Sequence, residues 1–353
     1  MIKLLHAADL HLDAPFAGLT PEEAARRRQA QRECLEQLPQ LCQRAQCDAV
    51  LLAGDLFDGG QIYTDTLDAL TAALAACRVP VFIAPGNHDP ITPASPYLRA
   101  IWPENVHIFK SAQIETVDCS GFTVSGAAFC GTDKPNLSGF TAPRDGNLHI
   151  MVLHGEVSGQ ETAYRTATPM QVAVSRLQYL ALGHIHQRGA RKTSNGTTYA
   201  WPGCMMGRGF DETGPKGVYL VELDESGTRI EFLHLDIPRY EVVQMTPEQL
   251  AQLIPEDGPR HHYRVRLTGT CPAPDLPALQ RMYGSRFASL QLEDLTQRPV
   301  QMPDASADTL AGLFARNLQA VLTETEDEEE RRQIQLALEL GQQVLQGREV
   351  LLP

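Results

Sequence analysis

The chain has 353 residues, 43% apolar and 21% charged, which is ordinary for a soluble globular protein and too long for one typical domain. Its formal net charge of -13 excludes a protein that grips long polyanions over its whole surface, so contact with nucleic acid needs a local patch or bound cations. Eight scattered cysteines without a CxxC pair, no charged-then-apolar leader and no run approaching a membrane span predict a cytoplasmic protein with reduced thiols and no membrane partner.

In chain order, the apolar run at Leu4-Leu5 leads to Asp9 and His11. Thr20-Pro21-Glu22-Glu23 then supplies an N-cap, a proline at the first helical position and acids in the first turn, predicting a helix to about Cys47 with a break or kink at Pro39. Its Arg26-Arg27-Arg28 cluster reads as a solvated helix face. Ala49-Val50-Leu51-Leu52 leads to Gly54-Asp55-Leu56-Phe57-Asp58, and an Ala- and Leu-rich helix at 65–77 carries the chain back to Val81-Phe82-Ile83-Ala84 in a βαβ crossover. That strand stops at Pro85-Gly86, and Asn87-His88-Asp89 follow at once.

A surface loop with one helical turn is expected at 90–103, and short alternating strands at 106–129, turning at Asp118–Gly121, suit a second sheet. Strand, loop, helix and strand resume over 148–182, with Ile150–Leu153 ending at His154 and Tyr179–Leu182 ending at Gly183-His184-Ile185-His186. Gly-rich turns and a hairpin at 220–233 precede a boundary at Pro238. Beyond it a small βαβαβ domain, a linker at 299–306 and helices at 307–322 and 327 to about 346 are predicted, the last with an apolar face of Ile334, Leu338 and Leu345.

Five apolar runs thus end on carboxylate, imidazole or carboxamide groups, at the carboxyl ends of strands where α/β sheets place their chemistry. Asp9, His11, Asp55, Asn87, His154, His184 and His186 form a borderline ligand field without sulfur, suited to manganese, iron, zinc or nickel more than to calcium. Seven donors are too many for one open ion, but with Asp55 bridging they divide into four for each of two ions ~3.5–4 Å apart, the arrangement that serves in-line displacement at phosphorus. Water between the ions would ionise near neutral pH and act as nucleophile. His88 can face the leaving oxygen as an acid if a carboxylate raises its pKa, with Asp58 the candidate; the alternatives are a further ligand or a structural ring. His6 is expected in the core, and Asp89 as an acceptor of loop backbone hydrogen bonds.

The blocks Asp9-Leu10-His11, Gly54-Asp55-Leu56-Phe57-Asp58, Gly86-Asn87-His88-Asp89, His154-Gly155 and Gly183-His184-Ile185-His186 resemble the calcineurin-like metallophosphoesterases over roughly residues 1–237. The resemblance implies an α/β fold, a four-layer αββα double-sheet sandwich, followed here by a small α/β capping domain at 238–298 and C-terminal helices at 299–353. It also implies Asp9, His11, Asp55 and His186 on one ion and Asp55, Asn87, His154 and His184 on the other, with His88 and Asp58 at the leaving group. His6–Asp13, Trp201-Pro202-Gly203 and Gly214–Val218 look like the SbcD-type DNA-repair exonuclease branch, and Arg208–Glu212 like a bacterial subgroup paired with an ATPase. Gly59 stands where protein phosphatases of the superfamily carry a phosphate-holding arginine, which counts against a phosphatase.

The expected function is a manganese-dependent two-metal phosphodiesterase cutting DNA as an exonuclease or endonuclease. Arg165, Arg188, Arg191, Lys192 and Arg208 on loops after ligand strands, and Arg264 and Arg266 on one face of a strand, are candidates for sequence-independent phosphate contacts. The apolar face of the last helix packs either on this chain or on an SbcC-like coiled-coil ATPase, and a homodimer is a further option. Two alternatives stay open: a small-molecule phosphoesterase acting on a cyclic nucleotide or nucleotide sugar, and a non-catalytic scaffold subunit.

Overall fold

The structure is a computed structural model and describes residues 1–59, 62–253, 255, 257–297, 305, 307–345 and 347. It divides into two compact units, the first comprising Met1–Val242, Asp257–Tyr263 and Phe287–Ser289, the second Val243–Glu256, Arg264–Arg286 and Leu290–Pro353.

In the first unit, β1 (Ile2–Ala7) is followed by α1 (Pro21–Leu35), α2 (Gln37–Ala45), β2 (Ala49–Leu52), α3 (Thr64–Cys77), β3 (Val81–Ile83), α4 (Pro96–Arg99) and β4 (Val106–Ile108). β5 (Glu115–Cys119), β6 (Phe122–Gly126), β7 (Leu148–His154), β8 (Glu156–Val157), β9 (Arg165–Ala167), α5 (Pro169–Val174), β10 (Tyr179–Gly183), β11 (Lys192–Ser194) and β12 (Thr197–Ala200) come next. The hairpin β13 (Gly217–Asp224) and β14 (Gly227–His234) follows. Two six-stranded sheets result, in orders β14-β13-β1-β2-β3-β4 and β11-β12-β10-β7-β6-β5. The strands that end at the candidate donors are central and parallel: β1 with β2, β2 with β3, and β7 with β10.

Burial on both faces explains the unbroken apolar runs. On β2, Val50 and Leu52 join a core with Leu35 and Leu38 of α1 and α2 and Leu70 and Leu74 of α3. Ala49 and Leu51 point the other way, into a core shared with Val124, Ile150, Val152 and Ala181 of the second sheet. Met151, Leu153, Leu180 and Leu182 face a third core that includes Val172 of α5. The layers are therefore helices, sheet, sheet and a thinner cover of loops with α5. His6 lies in the inter-sheet core, fully buried, with Nδ1 2.8 Å from the Tyr179 hydroxyl.

Three local expectations are corrected. The first helix breaks at Glu36 rather than Pro39, because Pro39 falls in the first turn of α2, where its missing N–H costs no helical bond. β4 belongs to the first sheet, paired with β3, so the chain first changes sheets between β4 and β5, and it returns between β12 and β13. Arg27 is not a solvated residue: it lies on the buried stripe of α1 with Ala24, Gln31, Cys34 and Leu35.

β15 (Tyr240–Met245), β16 (His262–Leu267) and β17 (Ser289–Asp294) form a three-stranded sheet in that order, with α6 (Pro247–Gln252) and α7 (Leu276–Tyr283) in the connections. The second unit ends in α8 (Leu310–Glu324) and α9 (Glu328–Leu345). Leu338 of the expected apolar face is buried, while Leu345 is exposed along with Leu310, Leu313 and Val321. Of the expected linker at 299–306, only Ala305 lies among the described residues, and the end expected near Gln346 also falls outside them. Among the described residues no helix is long and apolar enough to cross a membrane.

Candidate metal centre

The loops beyond β1 and β2 continue side by side past their strands, Asp9 N–H donating to Gly54 O (3.0 Å) and His11 N–H to Asp55 O (2.9 Å). Four of the donor-bearing residues have left-handed backbone: Asp9 (φ 52°), His11 (φ 45°), Asp55 (φ 52°) and His184 (φ 89°). Such a conformation is disfavoured for side chains with a Cβ and gathers at functional sites. Crowding between the loops also demands glycine: a Cβ on Gly86 would collide with Asp55 Oδ1, and one on Gly183 with Ala53 O.

The donor atoms converge from both sheets. His11 Nε2 is 3.1 Å from His186 Nε2, and Asp9 Oδ1 is 3.9 Å from the latter. Asn87 Oδ1 lies 3.0 Å from His154 Nε2 and 3.2 Å from His184 Nδ1. Between the groups is Asp55 Oδ2, 3.2 Å from His154 Nε2 and 3.8 Å from His11 Nε2. Its other oxygen accepts the His88 N–H (2.8 Å), and among the described residues the buried Oδ2 accepts no hydrogen bond.

The rings are oriented from behind. His154 Nδ1 is 2.8 Å from Ala53 O, His11 Nδ1 3.0 Å from Asp58 Oδ1 and His186 Nδ1 2.7 Å from Glu212 Oε1, so each turns Nε2 toward the centre. Asp9 accepts the His184 N–H at 2.9 Å, and Asp89 accepts N–H groups of Gly86, Leu56 and Phe57 and the Tyr97 hydroxyl, tying the second loop to the third.

Burial lifts the Asp9 carboxyl to about 6. Burial acts the same way on Asp55, but the His154 and His11 imidazoles outweigh it and hold that carboxyl below the usual carboxylate range. His184 is pushed down to about 4, chiefly by burial, so near neutrality its ring offers a lone pair. Two buried carboxylates, a carboxamide and the imidazole nitrogens that converge on them form a set that divalent cations fit. Carboxylate and imidazole atoms of Asp9, His11 and His186, of Asp9, Asp55 and His154, and of His11, Asp58 and His88 each lie close enough to hold one ion.

All seven expected donors, with His88 and Asp58, are brought together. His88 Nδ1 is 3.2 Å from Asp58 Oδ1, a hydrogen bond that raises the imidazole pKa. Among the candidate phosphate contacts only Arg208 is at the centre: it is 3.5 Å from Asp58 Oδ1 and 3.2 Å from His186 Nδ1. Gly59 leaves its own position without a side chain, while the Arg208 guanidinium arrives beside Asp58 from another loop. Arg165 pairs with Glu161, Arg188 lies 4.4 Å over the Phe232 ring, Arg191 donates to Thr228 O (3.0 Å) and Lys192 lies 5.4 Å over Trp201. In the second unit Arg264 and Arg266 share a face of β16, both against Glu293 at 3.2 and 2.9 Å.

Sequence reasoning missed Glu212, which is buried and ionised against Arg208 and His186; the i, i+4 spacing of Arg208 and Glu212 in a Gly-flanked loop was its only signal. It also missed Glu156, 3.5 Å from His184 Nε2, and Tyr164, whose half-exposed ring lies 4.4 Å from the His184 ring.

A double sheet whose facing strands deliver these donors to one crest defines a metallophosphoesterase, and the chain belongs to the calcineurin-like phosphoesterase family, which it matches over residues 2–188. In sequence it is similar to the uncharacterized metallophosphoesterase YhaO of Bacillus subtilis, 32% identical over 252 residues, 65% of this chain and 60% of that one. It is also similar to the DNA double-strand break repair protein Mre11 of Aeropyrum pernix, 27% identical over 261 residues, 68% of this chain and 62% of that one. A shorter match joins it to the SbcD component of the nuclease SbcCD of Rhodobacter capsulatus, 33% identical over 94 residues, 25% of this chain and 22% of the other. The matches to the first two span only 60% and 62% of those relatives' lengths.

Proposed function

We propose that this chain is a two-metal phosphodiesterase that cuts DNA, as an exonuclease or endonuclease in repair. The observation that carries the reading is the buried Asp55 Oδ2, which accepts no hydrogen bond among the described residues and is set between His11 Nε2 and His154 Nε2, with a separate donor group on either side. Asp9, His11, Asp55 and His186 would hold one ion and Asp55, Asn87, His154 and His184 the other, with manganese favoured and iron, zinc or nickel compatible with the donors. When bound, two divalent cations supply positive charge for the phosphoryl group in flight and make water acidic enough to ionise near neutral pH.

The chain's own residues do the rest. Asp58 holds His88 by Nδ1, leaving Nε2 of a side chain 47% exposed for the leaving oxygen, and keeps the ring protonated to higher pH than a free histidine. Arg208, fixed by Glu212, presents a guanidinium to a phosphate oxygen. The Tyr164 ring beside His184 offers a stacking surface to a base next to the scissile phosphate. The names of the Mre11 and SbcD relatives support DNA as the substrate and an SbcC-like coiled-coil ATPase as partner, with the exposed apolar residues of α8 and α9 as its contact. We assign residues 1–237 to the nuclease, 238–298 to a capping domain and 299–353 to partner binding. The eight free cysteines fit a cytoplasmic setting.

Arg208 gives the small-molecule alternative some standing, since a guanidinium beside the ions suits a terminal phosphate. The purified chain, loaded with manganese, is assayed on linear duplex and single-stranded DNA and on mononucleotide esters. Metal-dependent cleavage of DNA is expected. Hydrolysis of the small esters at a higher kcat/KM than DNA selects the alternative, and inertness toward every substrate with both ions bound leaves a scaffold.

A further inference from the structure

Asp9 and His11 lie on the loop after β1, and His186, on the loop after β10, has its ring set by Glu212 of the loop at 204–212, which also carries Arg208. One face of α1 reaches both the loop after β1 and the loop at 204–212. Arg27, only 7% exposed, donates through Nη2 to Gly207 O (2.8 Å) and has Nη1 3.2 Å from His262 Nε2. Its guanidinium also lies 5.7 Å from the Phe16 ring and 5.2 Å from the Tyr240 ring, and no carboxylate is within ion-pair distance among the described residues. One turn on, buried Gln31 donates through Nε2 to His11 O (2.8 Å) and Leu10 O (3.4 Å).

A buried guanidinium without an acid is a costly way to fill a helix face that leucine or methionine would fill better, unless the carbonyl it holds matters. That carbonyl precedes Arg208, whose N–H donates to Glu212 Oε2 (2.8 Å), and Glu212 in turn sets the His186 ring. Gly207 is confined as well, since a Cβ there would lie 2.6 Å from Glu212 O.

We propose that Arg27 and Gln31 are positioning residues that clamp these two loops to α1, and so set the ion site of Asp9, His11 and His186 in preference to that of Asn87, His154 and His184. The proposal rests on the two-ion reading, but half of its test does not. In the metal-free chain, imidazole 15N shifts report the His186 tautomer: the parent is expected to hold Nδ1–H, Arg27→Met to mix tautomers, and Arg27→Lys to restore the parent's state. Titration with manganese is expected to show two ions in the parent. In Arg27→Met one ion should keep parental affinity while the other weakens by about 10–100-fold. Gln31→Met should repeat the selective loss through the other loop, and carries the test if Arg27→Met does not fold. An unchanged His186 tautomer, or equal weakening of both ions, overturns the proposal. A parent that binds fewer than two ions removes the two-ion reading instead, and the tautomer then decides the clamp alone.

Discussion

His88 differs from its neighbours in the crest: its N–H is tied to Asp55, its ring to Asp58, and its side chain reaches solvent. If His88 is the acid proposed above and not a ligand, removing its ring should spare metal binding. His88→Gln is expected to lower kcat by about 10²–10⁴-fold with manganese stoichiometry unchanged, and a loss of bound metal would make it a ligand instead. His6 behaves in the opposite way, because burial lowers its pKa from 6.5 to about 3. Above pH 6.5 both folded and unfolded states keep it neutral; as pH falls from 6.5 toward 3 the unfolded chain takes a proton that the folded chain refuses, so stability is lost. His6→Phe should remove that loss, by about 2 kcal/mol at pH 5, measured as the difference between the two urea-unfolding profiles. Equal pH dependence in both would show that His6 takes up its proton in the fold.

At the scale of elements, five apolar runs and their polar ends were legible because strands buried on both faces must be apolar throughout, so an abrupt run of Asp, His and Asn marks the strand's end. The hairpin of β13 and β14 was legible from its Asp224–Gly227 turn. What stayed hidden was long-range. Nothing local in Val106-His107-Ile108 says which sheet it joins, and Arg27 and Gln31 look like solvent residues although they occupy the buried stripe of α1. Glu212 sits 26 residues from the ring it orients, and only the fold joins them. The close approach of the strand ends gives its own prediction. Gly86→Ala should displace Asp55, abolishing binding of both ions in a manganese titration while the chain remains folded. Retention of both ions would show that the loops can part to admit a methyl group.

Across the whole molecule, charge and metal are coupled. In a chain of net charge -13, Arg165, Arg208, Arg264 and Arg266, four of the candidate phosphate contacts, already face acids, so under the proposed function the ions would provide much of the attraction. The logarithm of DNA affinity against that of salt, at saturating manganese, should fall with a slope no steeper than about -3, whereas a steep slope would reveal a basic track. Manganese at 100 times its Kd should stabilise the fold by about 2.7 kcal/mol per ion, seen as a higher unfolding midpoint that a chelator reverses; an unmoved midpoint would mean no ion enters the folded state. The left-handed backbone at Asp9, His11, Asp55 and His184 sets a long-term liability. Each would be more comfortable as glycine by about 1–2 kcal/mol. Laboratory evolution rewarding heat resistance alone would therefore erode the donors first, and a lineage that still carries all four testifies to continuous selection for what they hold.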